Sequence, residues 1–290
     1  MMGAKTKIDW CDATWNPVTG CLHGCKYCYA RRIAERFGGC WRLDLPPDTS
    51  WRKFVVDREL MGDYARHSNG KCHVLDEPEI ECAVFNPPSG YRGKVKPYPY
   101  SFDPTFHRYK LDEPQHWEKP RTIFVCSMAD LFGEWVPDEW IEQVFEACEA
   151  APQHRYLFLT KNPQRYNDLM SDGKLPEGEN YWYGGTRTGI DGMREHEAAM
   201  TENTFLSVEP LLAPIERETL NALELWGWII VGAETGIRKG KITPKREWVN
   251  EIAEKCKASE TPLFMKESLR GLMGADFRQE FPWEVSENGK

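Results

Sequence analysis

Cys21-Leu22-His23-Gly24-Cys25-Lys26-Tyr27-Cys28 places three cysteines within eight residues, in C-x3-C-x2-C spacing, with an aromatic residue, Tyr27, just before the third. Thiolates this close together in sequence hold iron–sulfur clusters. A structural zinc site is the alternative, and it wants four closed ligands. His23 inside the loop, or Cys11 and Cys40 nearby, could supply a fourth. Zinc knuckles, however, come as paired couples, and no second couple follows here. A disulfide would leave one cysteine unpaired. The flanks agree with a metal-binding loop between two regular elements. Asp12 to Gly20 is short and partly β-prone. Tyr29-Ala30-Arg31-Arg32-Ile33-Ala34-Glu35-Arg36-Phe37 reads as a helix, with Ile33, Ala34 and Phe37 on one face, stopped by Gly38-Gly39.

Further along, from about residue 120, strand-like and helical patterns alternate. The apolar runs are Thr122–Cys126, Arg155–Leu159, Tyr181–Gly184, Thr204–Val208, Trp226–Val231 and Pro262–Met265. Each is short, continuous and rich in β-branched or aromatic residues, as buried parallel strands are. The helices between them carry start signals: Pro137 at the first position, Asn162 capping before Pro163, and Thr243 before Pro244. Trp140, Ile141, Val144, Phe145 and Cys148 recur at helical spacing, as do Trp248, Val249, Ile252, Ala253 and Cys256. Repeated β–α units with right-handed crossovers predict an α/β fold with a parallel sheet or barrel.

After each run the chain turns polar: Ser127 and Asp130, Thr160 and Lys161, Thr186 and Arg187, Glu209, Glu234, Lys266. Active sites of parallel barrels lie at this C-terminal mouth. Polar residues also simply begin loops, but six polar strand ends together favour a furnished mouth. Val231-Gly232-Ala233-Glu234-Thr235-Gly236 is the sharpest candidate, because glycines permit close backbone approach to a ligand.

Residues 41–119 break the rhythm. They are rich in proline and read as an irregular insertion, with one barrel strand expected near Tyr100–Phe106. The domain plan is 1–40 for the first βα unit, 41–119 for the insertion, 120–270 for the remaining units and 271–290 for a C-terminal tail. Within the insertion, Tyr91 to Lys110 interleaves Arg92, Lys94, Lys96, Arg108 and Lys110 with Tyr91, Tyr98, Tyr100, Phe102, Phe106 and Tyr109. Cations can track phosphates while rings stack on bases. A solvated loop whose aromatics pack on the barrel explains the same pattern. Cys40, Cys72, His73 and Cys82 could hold a second metal, although their spacing matches no strong signature. Cys126, Cys148 and Cys256 fall on apolar faces and read as core.

The chain has 290 residues, 41% of them hydrophobic, enough to bury a sizeable core in one or two domains. No apolar run approaches a membrane span. Lys5, Lys7 and Asp9 interrupt any signal peptide. Ten cysteines without such a signal point to reduced thiols in the cytoplasm. A net charge of −8 provides no global footprint for nucleic acid.

The cysteine loop resembles that of the radical S-adenosylmethionine (SAM) superfamily. The resemblance implies a partial TIM-like (β/α) barrel with the loop after its first strand. It implies that Cys21, Cys25 and Cys28 hold a [4Fe–4S] cluster whose fourth iron takes SAM by its amino and carboxylate groups. One electron, from a reductant such as flavodoxin or ferredoxin, then breaks a carbon–sulfur bond. The resulting 5′-deoxyadenosyl radical abstracts a hydrogen from the substrate. Residues expected to contact cofactor or substrate are Tyr27, Ser127, Asp130, Thr186, Arg187, Glu209, Gly232 and Glu234. Arg187 suits a carboxylate and Glu234 suits ribose hydroxyls or an ammonium.

Longer motifs point further. Thr6-Lys7-Ile8-Asp9-Trp10, Asp12-Ala13-Thr14-Trp15-Asn16-Pro17, Ser127-Met128-Ala129-Asp130-Leu131-Phe132, Leu159-Thr160-Lys161-Asn162-Pro163 and Ser207-Val208-Glu209-Pro210-Leu211 are similar to those of a phage-associated protein family of uncharacterised function. Many of its members have a longer gap between the first two cysteines than the three residues here. Phage association implies a phage or bacterial host cytosol and a substrate such as a nucleobase in DNA, RNA or a nucleotide. A duplex base would have to be flipped out to be reached. A peptide or small metabolite is the alternative substrate. A zinc-stabilised binding protein is the non-enzymatic alternative.

Overall fold

The computed structural model describes residues 6–38, 71–78, 80–81, 94–190 and 203–285. Twelve strands are numbered in chain order among them. They are β1 (Ala13–Trp15), β2 (Val18–Thr19), β3 (His73–Leu75), β4 (Ile80–Glu81), β5 (Lys94–Val95), β6 (Thr105–His107), β7 (Thr122–Val125), β8 (Arg155–Thr160), β9 (Tyr181–Arg187), β10 (Thr204–Val208), β11 (Trp228–Val231) and β12 (Leu263–Met265). Seven of them form one parallel sheet in the order β1-β7-β8-β9-β10-β11-β12. Strand order therefore follows chain order with no reversal. Right-handed crossovers that always step the same way put the connecting helices on one face. The sheet curls around its other face into an open half-barrel.

The two-residue period of each strand sorts its side chains between these faces. Outward residues Ile123, Val125, Tyr156, Phe158 and Tyr183 pack with Ile141, Val144, Phe145 and Cys148 of α2 (Asp138–Glu149); the label α1 belongs to Tyr29–Phe37. Leu206, Val208, Ile229, Val231, Leu263 and Met265 pack with Val249, Ile252 and Cys256 of a later helix, Arg246–Ala258. Inward residues Phe124, Leu157, Trp182, Phe205, Trp228, Ile230 and Phe264 gather around Trp10. Beneath this inner cluster, Phe281 and Trp283 pack against it, and Trp228 Nε1 donates to the Glu280 carbonyl at 2.9 Å. The C-terminal segment thus closes the N-terminal end of the half-barrel.

Several local expectations shift. On α1 the buried positions are Ala30 and Ala34, whereas Ile33 and Phe37 are exposed. The helix Gln164–Ser171 starts after Pro163, and the Asn162 side chain donates instead to the Phe132 carbonyl at 3.0 Å. The helix expected from Thr243 starts at Arg246, two residues beyond Pro244. The strand near Tyr100–Phe106 exists as β6 but lies outside the barrel. It pairs antiparallel with β2 and parallel with β3 in a separate three-stranded sheet. Cys126, Cys148 and Cys256 are buried, as expected for core residues. Among the described residues no helix is long and apolar enough to cross a membrane.

Candidate functional site at the barrel mouth

The cysteine loop leaves β2 through Gly20, whose φ of +87° suits glycine. A Cβ there would sit 2.1 Å from the Asp103 carbonyl oxygen, so the loop departs flush against the β6 segment. The Cys21 amide donates to the Phe102 carbonyl at 3.1 Å. Arg31 Nη2 donates to the Cys21 carbonyl at 3.2 Å. Cys28 caps α1: its Sγ accepts from the Arg31 amide at 3.3 Å. Gly24, at φ +70°, turns the apex in open space. Both ends of the loop are therefore anchored by backbone, and its apex carries Cys25.

All three cysteines line one cavity of about 620 Å³ at the C-terminal end of the sheet. Burial pushes the Cys21 thiol up to about 12 and also raises Cys28. Thiolates in this setting need a cation beside them. Among the described residues no group of three or more His, Cys, Asp or Glu that could hold a metal ion is present. A mononuclear zinc needs its donors on one ion, while a [4Fe–4S] cluster spreads three thiolates over three irons. Three thiols lining one open cavity fit the second donor pattern.

The strand ends furnish the same mouth, and several of their polar groups are already engaged. Asp130 is buried and accepts four hydrogen bonds. They come from Thr160 Oγ1 at 2.7 Å, the Phe132 amide at 3.1 Å, the Lys161 amide at 2.9 Å and His23 Nε2 at 2.7 Å. It thereby ties the ends of β7 and β8 to the cysteine loop. Ser127 Oγ donates to Asn16 Oδ1 at 3.1 Å, and its carbonyl accepts from the Tyr29 hydroxyl at 2.6 Å. Lys161 Nζ lies 5.5 Å from the centre of the Tyr27 ring. Thr186 and Tyr27 line the large cavity and also a smaller one of about 200 Å³. Arg187 is buried and lines only the smaller of these two, beside Cys25.

Glu209 and Lys266 form an ion pair across the ends of β10 and β12, and both line the cavity. Gly232 lies behind them. A Cβ on it would meet Lys266 Cδ at 2.8 Å and Glu209 at 3.3 Å, so this glycine makes room for the ion pair. Glu234 is buried and receives both arms of Arg238, at 2.6 and 2.7 Å. The Arg238 guanidinium holds its carboxyl below the usual range. Ser207 and Trp10 also line the cavity, and neither Ser207 Oγ nor Trp10 Nε1 has a hydrogen-bond partner among the described residues. Asn16, His23 and these two polar atoms were not singled out for the mouth by sequence. Asn16 and Trp10 sit in the conspicuous N-terminal motifs, which was the available signal.

The basic and aromatic stretch before residue 110 is largely occupied. Phe102 and Phe106 are buried, Tyr100 stacks on His73 at 3.7 Å, and Arg108 pairs with Asp76 at 2.5 Å. Cys72 is exposed and its thiol donates to the Trp135 carbonyl at 3.2 Å. Cys40, Cys82, Tyr91 and Arg92 lie outside the described residues.

The fold and site together define an α/β protein with a curled parallel half-barrel and a three-cysteine loop at its mouth. Residues 5–68 and 88–273 match the family described as "Protein of unknown function (DUF5131)", and the chain belongs to that family. No curated protein and no solved structure matches the chain.

Proposed function

We propose that this protein is a radical SAM enzyme acting on a nucleobase or nucleotide in the cytoplasm, with a flavodoxin or ferredoxin as electron donor. The observation that carries the reading is the convergence of Cys21, Cys25 and Cys28 on one roomy cavity at the C-terminal mouth of a parallel half-barrel. These three cysteines would hold a [4Fe–4S] cluster. When bound, the cluster would take SAM at its open iron and supply the electron for reductive cleavage.

The chain's own residues do the positioning. Asp130 fixes the loop apex through His23, and Cys28 fixes the loop's exit through the first turn of α1. Tyr27 and Tyr29 line the cavity beside the cysteines and help exclude water. Phe124 and Leu159 supply apolar wall, while Thr186, Ser207, Glu209 and Lys266 offer polar groups to the bound molecules. A mostly apolar cavity with a few placed polar groups suits a flat heterocycle. The described cysteines are all free thiols, which fits a reducing compartment.

The test is anaerobic reconstitution with iron and sulfide, reduction, addition of SAM and assay for 5′-deoxyadenosine. The expected result is a brown protein that forms it, and a Cys25→Ala protein that does not. A colourless, zinc-loaded protein that leaves SAM intact would overturn the reading in favour of a binding protein.

A further inference from the structure

The mouth of the cavity continues onto a surface that the site has not used. On α1, Tyr29, Ile33 and Phe37 recur every four residues and so form one stripe. All three are exposed, Tyr29 by 42% and Phe37 by 54%. Tyr29 and Ile33 also line the large cavity. The stripe therefore begins in the mouth and runs outward for about 12 Å, at 1.5 Å per residue.

Cations border it. Arg32 and Arg36 lie on α1, and Arg36 sits over the Phe37 ring at 5.3 Å. Arg32 Nη2 donates to the Thr235 carbonyl at 3.5 Å and approaches Gly236, which brings the following loop alongside the helix. That loop presents Ile237, fully exposed, with exposed Lys239 and Lys241. Exposed Lys26 adds a further cation from the cysteine loop. Glu35 is the one acid of α1, and Glu234 is already spent on Arg238. This positive face stands on a chain of net charge −8.

We propose that this face is a docking track for single-stranded nucleic acid, which presents one base to the cavity. Exposed rings stack on unpaired bases while flanking cations follow the phosphates. A duplex hides its base faces and would engage the cations alone. The track deepens the radical SAM reading and rests on it only for what befalls the presented base.

The experiment is fluorescence anisotropy with a short labelled single-stranded DNA, its RNA counterpart and the matching duplex, over rising salt. Binding of a single strand that weakens steeply with salt is expected. The combined variant R36E/K239E/K241E should weaken it by roughly tenfold or more and flatten the salt dependence. Phe37→Ser, at an exposed position, should weaken single-strand binding and spare the duplex. Circular dichroism and the unfolding midpoint check that each variant folds. No single-strand binding at low salt, or binding that ignores these substitutions, would overturn the proposal. So would variants that bind nucleic acid normally but are reduced slowly by flavodoxin, because the face would then dock an acidic electron donor. Two further outcomes separate docking from chemistry. A Cys25→Ala protein without iron that still binds the strand supports the track by itself. A wild-type protein that cleaves SAM but binds no strand removes the track and leaves the radical reading intact.

Discussion

Asp130 occupies a position where one carboxylate satisfies four donors from three separate segments. Removing it strands the Thr160 hydroxyl, two amides and His23. Leaving buried donors unsatisfied costs more than the net value of the bonds themselves. Asp130→Ala should therefore lower unfolding free energy by about 2–4 kcal/mol, read from urea denaturation. It should also lower the iron retained after reconstitution, because the loop apex loses its tether. An unchanged iron content would mean that His23 does not steer Cys25. His107 sets a pH dependence at the same scale. It is fully buried, hydrogen-bonded to Thr19 at 2.8 Å, and burial followed by the nearby Lys110 pulls its pKa from 6.5 down to about 3. The unfolded chain takes up the proton first as the solution is acidified. The stabilisation is thus fully present above pH 6.5 and is lost as pH falls towards about 3. Its share of the slope is at most about 1.4 kcal/mol per pH unit. Urea titrations of wild type and His107→Asn over this window should show a shallower slope for the variant.

At the scale of elements, the cysteine loop depends on how tightly β2 and β6 hold its first residue. Gly20 combines a positive φ with a carbonyl oxygen 2.1 Å from any added Cβ. Gly20→Ala would strain the backbone and force the β6 segment away. A loss of about 2–4 kcal/mol is expected, with the Cys21 amide losing its bond to Phe102. Hydrogen exchange at that amide reports the second effect directly. By contrast, Gly24 turns in open space, and alanine there meets only the φ penalty. The two glycines of one loop thus do different jobs, one permitting contact and the other permitting a turn. Helix α1 shows a related division. Its small residues Ala30 and Ala34 face the core, which leaves the larger Ile33 and Phe37 outside.

Across the whole molecule, the half-barrel is stoppered at one end and open at the other. Trp228 touches Phe264, Phe281 and Trp283, and Trp182 meets Trp283 edge-on at 5.7 Å. These rings fill the end opposite the cysteine loop. The double substitution Phe281→Ala/Trp283→Ala should cost about 3–6 kcal/mol through lost burial and residual cavity. Its unfolding midpoint measures that cost. Tyrosine and cysteine positions at the mouth lie at the far end, so the iron retained after reconstitution by the surviving folded fraction should match wild type.

The α/β order, four of the seven sheet strands to within a residue at each end, and the three-cysteine loop were legible in the sequence. Each is written in local spacing: apolar runs, helical periodicity, or three thiols within eight residues. The polar strand ends were legible for the same reason, since an interior run stops where the chain reaches solvent. Their partners were not. His23 meets Asp130 across 107 residues, Lys266 meets Glu209 across 57, and Arg32 meets Thr235 across 203. The strand near Tyr100–Phe106 could be located by composition but not assigned to a sheet, because pairing depends on which edge is free. Local periodicity states which face of an element is buried. Only the curled arrangement of strands determines which side chains share a cavity, which charges are consumed, and which cations and rings stay exposed.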